Sequence, residues 1–153
     1  MDGHLYTAAF EAPGGQPILK VYADPATGKA PWTVGLGHTG PDVLQGDTWT
    51  EDRCWTVFYN DYAVAQTAAA QVIGTSCWAS LSEPRQAVLT DLAFNIGEAR
   101  LAGFHYTLIA IRAKNWQMAH DELLDSAYAK QVKTRATTNA TVLLTGNWPE
   151  ASA

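Results

Sequence analysis

The sequence has no basic run, no long apolar run and no cysteine framework. Lys and Arg total 10 against 15 Asp and Glu, for a formal net charge of -5. Nothing in it can neutralise a row of phosphates, so nucleic acid is excluded as a partner. An acidic chain also gains no long-range attraction to a negatively charged envelope, so any role there must rest on short-range contacts. No apolar run approaches the roughly 20 residues that cross a bilayer, and stable membrane insertion is not expected. Met1-Asp2-Gly3-His4 has neither the basic nor the apolar region of a signal peptide. The expectation is a chain made in the cytoplasm that needs another protein to reach any substrate beyond the membrane.

Two cysteines, Cys54 and Cys77, flank what reads as one long helix. At about 1.5 Å rise per residue they lie roughly 30 Å apart, beyond bridging distance, and are read as free thiols. His4, His38, His105 and His120 are scattered, no helical H-E-x-x-H exists, and no cysteine lies at ligand spacing from His38. His38 is read as a structural, hydrogen-bonded residue, and no metal is expected. Gly35 and Gly37 lack the third glycine and following helix of a dinucleotide loop, so no cofactor is expected either. They read as a strand bend or as backbone clearance for a ligand.

What is present is a folding composition. Of 153 residues, 47% are hydrophobic and only 16% charged, enough for one domain with a substantial core. Leu5, Ala8, Ala9 and Ala12 recur at helical spacing before Pro13-Gly14-Gly15 stops the pattern. From Ile18 to Thr39 short β-like pieces alternate with turn residues and predict a small antiparallel sheet. Thr50 is a candidate N-cap for a helix to about Ile73, with Trp55, Phe58, Tyr59, Tyr62, Ala63 and Ala70 as its stripe. A further helix starts at Ser82-Glu83-Pro84, and the nearly all-apolar stretch that follows, with Val88, Leu89, Leu92 and Phe94 and ending at Asn95-Ile96-Gly97, reads as the central buried helix of a bundle. Helices over about 104–113, 115–127 and 133–144 follow. The six tryptophans, spread along the chain, read mostly as packing residues. The expectation is an α+β fold in a single domain: a β-lobe over about 14–50, a connecting helix over 51–73, and a helical lobe over about 78–148 that includes the N-terminal helix.

Three residues in the first quarter suggest chemistry: Glu11 at a helix end, Asp24 in a turn after a strand, and Thr33 opening Trp32-Thr33-Val34-Gly35-Leu36-Gly37-His38-Thr39. Glycoside hydrolysis needs one carboxylic acid to protonate the leaving oxygen and a second group to position water or attack the anomeric carbon. Glu11 and Asp24 are such a pair, and Thr33 adds a hydroxyl.

Those residues, with Leu92-Ala93-Phe94-Asn95-Ile96-Gly97 and the closing Thr145-Gly146-Asn147-Trp148, resemble the phage lysozyme family, glycoside hydrolase family 24. The resemblance implies a lysozyme-like fold and an endolysin acting on peptidoglycan glycan strands, at the β-1,4 bond between N-acetylmuramic acid and N-acetylglucosamine. It makes Glu11 the general acid and gives Asp24 and Thr33 the attacking water, hence inversion. Gly37, Thr39, Phe94, Asn95, Ile96 and Arg135 fall to substrate binding, Arg135 matching a family arginine that approaches the catalytic Glu. It further implies a monomer released to the periplasm by a holin-like route for host cell lysis. Ala12 stands where the family has Gly, and the loops after Glu11 and Asp24 are longer. A catalytically inactive glycan-binding relative and a lytic transglycosylase are the alternatives.

Overall fold

Helix α1, Gly3–Glu11, ends just before Pro13, and the chain passes through a 3-10 turn over Pro13–Gly15. The structure, a computed structural model, describes residues 1–150. Gly14 and Gly15 in that turn have φ of +80° and +79°, a region glycine enters at little steric cost. α1 buries Tyr6, Thr7 and Ala8, while Leu5 is 56% exposed and Ala9 is exposed. The expected Leu5/Ala9 face is thus corrected: burying the Tyr6 ring removes more apolar area from water than burying Leu5 and an alanine methyl.

Strands β1 (Ile18–Tyr22), β2 (Thr33–Gly35) and β3 (His38–Thr39) form an antiparallel sheet in the order β1-β2-β3. Ile18 pairs with Gly35 and Tyr22 with Thr33, so β1 carries a bulge between those two pairs. Thr33 pairs in turn with Thr39, and Val34 with His38. The free edge of β1 is covered by the segment before the next helix: Val21 N–H donates to Asp47 O at 3.0 Å and Trp49 N–H to Leu19 O at 2.8 Å. Covering an edge in this way satisfies backbone groups that would otherwise invite another strand.

Helix α2, Glu51–Ile73, starts on Thr50, whose Oγ accepts from Arg53 N–H at 3.2 Å, with Glu51 and Asp52 in the first turn. This is the expected cap and dipole arrangement. Its buried line is Cys54, Phe58, Tyr62, Ala65, Ala69 and Ile73. Tyr59, placed on the core stripe by spacing, is 50% exposed, and Ala63 is exposed too. At about 100° per residue Phe58 and Tyr59 cannot share one narrow face, and Phe58 is the residue aligned with Cys54 and Tyr62.

Beyond α2 come α3 (Thr75–Ser80), α4 (Glu83–Ile96), α5 (Glu98–Ala102), α6 (His105–Arg112), α7 (Trp116–Leu124), α8 (Ala127–Gln131) and α9 (Lys133–Thr145). The five- and six-residue helices α3, α5 and α8 are too short to show a period, which is why the sequence did not reveal them. α7 packs on α6 and α9, and α4 on α5 and α9. α4 buries Pro84 and every residue from Ala87 to Ala93, as its apolar run implies. Arg85 of α4 donates to Leu143 O at 2.8 Å and Leu144 O at 3.1 Å and lies 3.6 Å above the Trp116 ring. It thereby satisfies carbonyls that the end of α9 leaves without intrahelical partners.

The class is α+β and lysozyme-like, mainly helical with one small antiparallel sheet. The chain forms two compact units, His4–Val64, and the chain from Ala65 onward with Met1–Gly3. Both cysteines are free, Cys54 buried and Cys77 half-buried. Trp49 is buried and the other five tryptophans are half-buried, with Trp55 against Phe58 and Tyr59 and Trp116 under Arg85. No helix among the described residues is long and apolar enough to cross a membrane.

Candidate active site

The N-terminal unit gathers Glu11, Tyr22, Thr33 and Gly37. Glu11 is the last residue of α1 and half-buried. Gly37 has φ +80°, and a Cβ built on it would lie 2.6 Å from Glu11 Oε2 and 3.3 Å from its carboxyl carbon. The bare backbone of Gly37 is therefore the surface against which the carboxyl group rests. Burial and the negative charge of Glu11 push the Tyr22 phenol above its usual 10.0, which puts Tyr22 within electrostatic reach of the same group and keeps it protonated.

Tyr22 stands opposite Thr33 in the β1–β2 ladder, and two residues later Asp24 opens the connecting loop. Asp24 closes that loop on itself: its N–H donates to Lys29 O at 2.9 Å, and its O accepts from Gly28 N–H at 2.8 Å. Its Oδ1 also accepts from Ala26 N–H at 3.0 Å, a local turn that fixes the carboxylate. Thr33 Oγ donates to Pro31 O at 3.3 Å. The hairpin thus holds Asp24 and Thr33 at one end of the sheet.

The rest of the glycine motif anchors this arrangement. Gly35 has φ +69°, and a Cβ there would meet Cys54 of α2 at 3.2 Å. His38 bridges three segments: Nδ1 lies 2.6 Å from Asp61 of α2, and Nε2 lies 3.0 and 3.1 Å from the two oxygens of Asp42. This is the hydrogen-bonded structural role expected for it. Thr39, paired with Thr33, is exposed.

Burial lowers the pKa of His38, but its hydrogen bonds to Asp42 and Asp61, and their charges, raise it further, for a net rise above 6.5. The His38 hydrogen bond pulls Asp42 below 3.8, with a smaller contribution from Arg53. A raised histidine contributes stability fully below its unfolded value and loses it as pH rises through the folded value; a lowered carboxylate loses its share as pH falls. The advantage of the wild type over His38→Gln should therefore be greatest between the two ordinary values, 3.8 and 6.5. There it should amount to about 1–2 kcal/mol, discounted for the exposure of Asp42, and shrink above that window. Urea melts across pH test it; a gap that widens toward alkaline pH refutes the assignment.

Three sequence-assigned residues end α4. Phe94, Asn95 and Ile96 are all half-exposed. Asn95 Oδ1 is buried and has no hydrogen-bond partner. Arg135 on α9 is held by Asp91 of α4, Nε to Oδ2 at 3.0 Å and Nη2 to Oδ1 at 2.8 Å. Asp91 is fully buried and also accepts from Asn139 Nδ2 at 3.0 Å, while Asn139 donates to Tyr128 Oη at 3.1 Å. Sequence reading missed Tyr22, Asp42, Asp61 and this Asp91 network. Only Asp91 carried a signal, as a lone carboxylate inside an apolar helical run.

A model of the phage lysozyme family matches residues 17–140, most of the chain, and the chain belongs to that family. The match includes Asp24, Thr33, Gly37, Thr39, Phe94, Asn95, Ile96 and Arg135; Glu11 precedes it. The chain is similar to the pre-baseplate central spike protein Gp5 of Enterobacteria phage T4, 34% identical over 100 residues, 64% of this chain and 17% of that protein. It is also similar to the SAR-endolysin of Enterobacteria phage P21, 32% identical over 66 residues, 43% of this chain and 38% of that protein. The matched stretch thus spans well under half of either relative.

Proposed function

We propose that this chain is an endolysin of the muramidase type, a single catalytic domain that hydrolyses the β-1,4 bond between N-acetylmuramic acid and N-acetylglucosamine. The observation that supports it most is the contact of Gly37 with the Glu11 carboxyl group, since a general acid must be held at a fixed place beside the sugar oxygen it protonates. Glu11 donates its proton to the glycosidic oxygen. Asp24 and Thr33 orient the water that attacks from the opposite side, and the configuration inverts. The two carboxyl groups then stand roughly 6.5–9.5 Å apart in the working enzyme, leaving room for that water.

In this reading Gly37 and Thr39 contact the glycan through the motif backbone, and Phe94 and Ile96 offer apolar surface to a sugar ring. Asn95 accepts a hydrogen bond from an N-acetyl N–H. A buried carbonyl oxygen with no partner costs about 1–3 kcal/mol, and a ligand donor would recover it. Arg135, fixed by Asp91, binds substrate. The name of the phage P21 relative favours host lysis as the setting, with the chain acting as a monomer on the wall of the periplasm after holin-dependent release.

Products decide the chemistry. Digestion of purified peptidoglycan should yield muropeptides carrying one added water and a reducing N-acetylmuramic acid end, seen by mass spectrometry. 1,6-Anhydro ends would make it a lytic transglycosylase. Binding without product would make it an inactive relative.

Gly37→Ala probes the geometry directly. The added methyl would lie 2.6 Å from Oε2, and the carboxylate, at the end of a flexible side chain, yields by swinging aside. The positive φ adds strain of about 1 kcal/mol, so the protein still folds. Displacement of the acid by about 1 Å should cost about 100-fold in turbidity clearing. A rate within threefold of wild type removes the Gly37–Glu11 contact from the mechanism.

A further inference from the structure

The outer face of α9 carries a feature that neither the fold nor the proposed catalytic set requires. Five of its 13 residues are threonine, a β-branched residue of modest helix propensity, where Lys, Glu or Gln would serve an exposed helix better. Four of them, Thr137, Thr138, Thr141 and Thr145, line a groove of about 420 Å³ whose other walls include Asn147, Trp148, Pro149 and Glu150. That volume lies in the range of small-molecule sites.

The chemistry of the lining selects the ligand. Thr137 Oγ donates to Lys133 O and Thr138 Oγ to Thr134 O, each at 3.0 Å, and Thr141 Oγ donates to Thr137 O at 2.9 Å. A hydroxyl whose proton is committed to a helix carbonyl offers only lone pairs. Toward the groove these three hydroxyls are therefore acceptors, and the Glu150 carboxylate extends them, while the Asn147 side-chain amide adds donors beside them. An occupant must bring O–H or N–H donors to the threonine row, and the Asn147 amide can donate to a carbonyl of that occupant. Beside the acceptors lie the half-buried Trp148 and Pro149 rings, which suit a flat C–H face. Donors along an edge and a C–H face together describe an N-acetylated pyranose.

We propose that this groove binds an N-acetylhexosamine unit of a glycan strand, a second glycan contact sharing no residue with the candidate catalytic set. The choice of saccharide rests on the reading that the chain acts on glycan; the acceptor row on α9 does not. Such a contact would hold the enzyme on an insoluble wall without the long-range attraction that a net charge of -5 denies it.

The test is a titration of ¹⁵N-labelled Glu11→Gln full-length protein with chitotetraose, followed by amide shifts. Saturable shifts of Thr137, Thr138, Thr141 and the Trp148 indole N–H are expected, in addition to those of Gly37 and Thr39. The isosteric pair Thr138→Val with Thr141→Val should weaken the α9 set about tenfold and leave the Gly37 and Thr39 shifts intact, which also certifies its fold. Should the valine pair not fold, NOEs between the Trp148 indole and sugar C–H protons in the parent protein decide the same question: their presence supports the site and their absence overturns it. Shifts at Gly37 and Thr39 without the α9 set refute this inference and leave the catalytic reading standing. Silence at both sets refutes both. An equal α9 response to free diaminopimelic acid assigns the groove to a peptide amine and also overturns it.

Discussion

Glu11→Gln should keep the fold and lose about 10²–10⁴-fold of its activity on purified peptidoglycan, the usual contribution of a positioned general acid. The amide has nearly the shape of the carboxylic acid and fits beside Gly37, but it has no proton to transfer to a leaving oxygen. The substitution also has a readout independent of turnover. The charge of Glu11 helps push the Tyr22 phenol upward, so removing that charge should lower the titration of Tyr22, while the part due to burial stays. An ultraviolet pH titration, with a Tyr22→Phe control to assign the phenol, measures it. Loss of activity with a downward move of Tyr22 is the expected pair of results. Activity within tenfold of wild type would remove Glu11 as the acid, and an unmoved Tyr22 would contradict its electrostatic reach to Glu11.

The sequence made legible the features that repeat or that punctuate. Pro13-Gly14-Gly15 marked the end of α1, the Thr50 cap marked the start of α2, and the apolar run of α4 declared a helix buried on every side. Faces were less legible where two large residues competed, as Tyr6 against Leu5 on α1 and Phe58 against Tyr59 on α2. Spacing alone does not weigh the area each ring removes from water. The glycine motif showed that backbone had to approach something. Only the fold showed that Gly35 meets Cys54 and Gly37 meets Glu11. Partners remote in the chain, such as Asp61 for His38 and Asp91 for Arg135, leave no periodic trace, because such a pair depends on where two elements meet rather than on spacing along either.

That last pair carries the largest expected effect on stability. Asp91 is fully buried, takes two bonds from Arg135 and one from Asn139, and ties α4 to α9 in the middle of their packing. Asp91→Ala deprives a guanidinium that is 11% exposed at its side chain of the Asp91 carboxylate, and takes one acceptor from the Asn139 amide. Breaking a buried pair from one side typically costs about 3–5 kcal/mol, a large share of the roughly 5–15 kcal/mol that hold a domain together. For a chain of this length the melting temperature should fall by roughly 10 °C or more. The cost belongs to the stranded partner more than to any net gain from the pair. Removing Arg135 as well, in Asp91→Ala with Arg135→Met, should therefore cost less than the two single losses added, with a coupling of about 1–3 kcal/mol. Urea denaturation of the four proteins closes the cycle. Strict additivity, or a loss below about 1 kcal/mol for Asp91→Ala alone, would show that the pair does not hold α4 to α9.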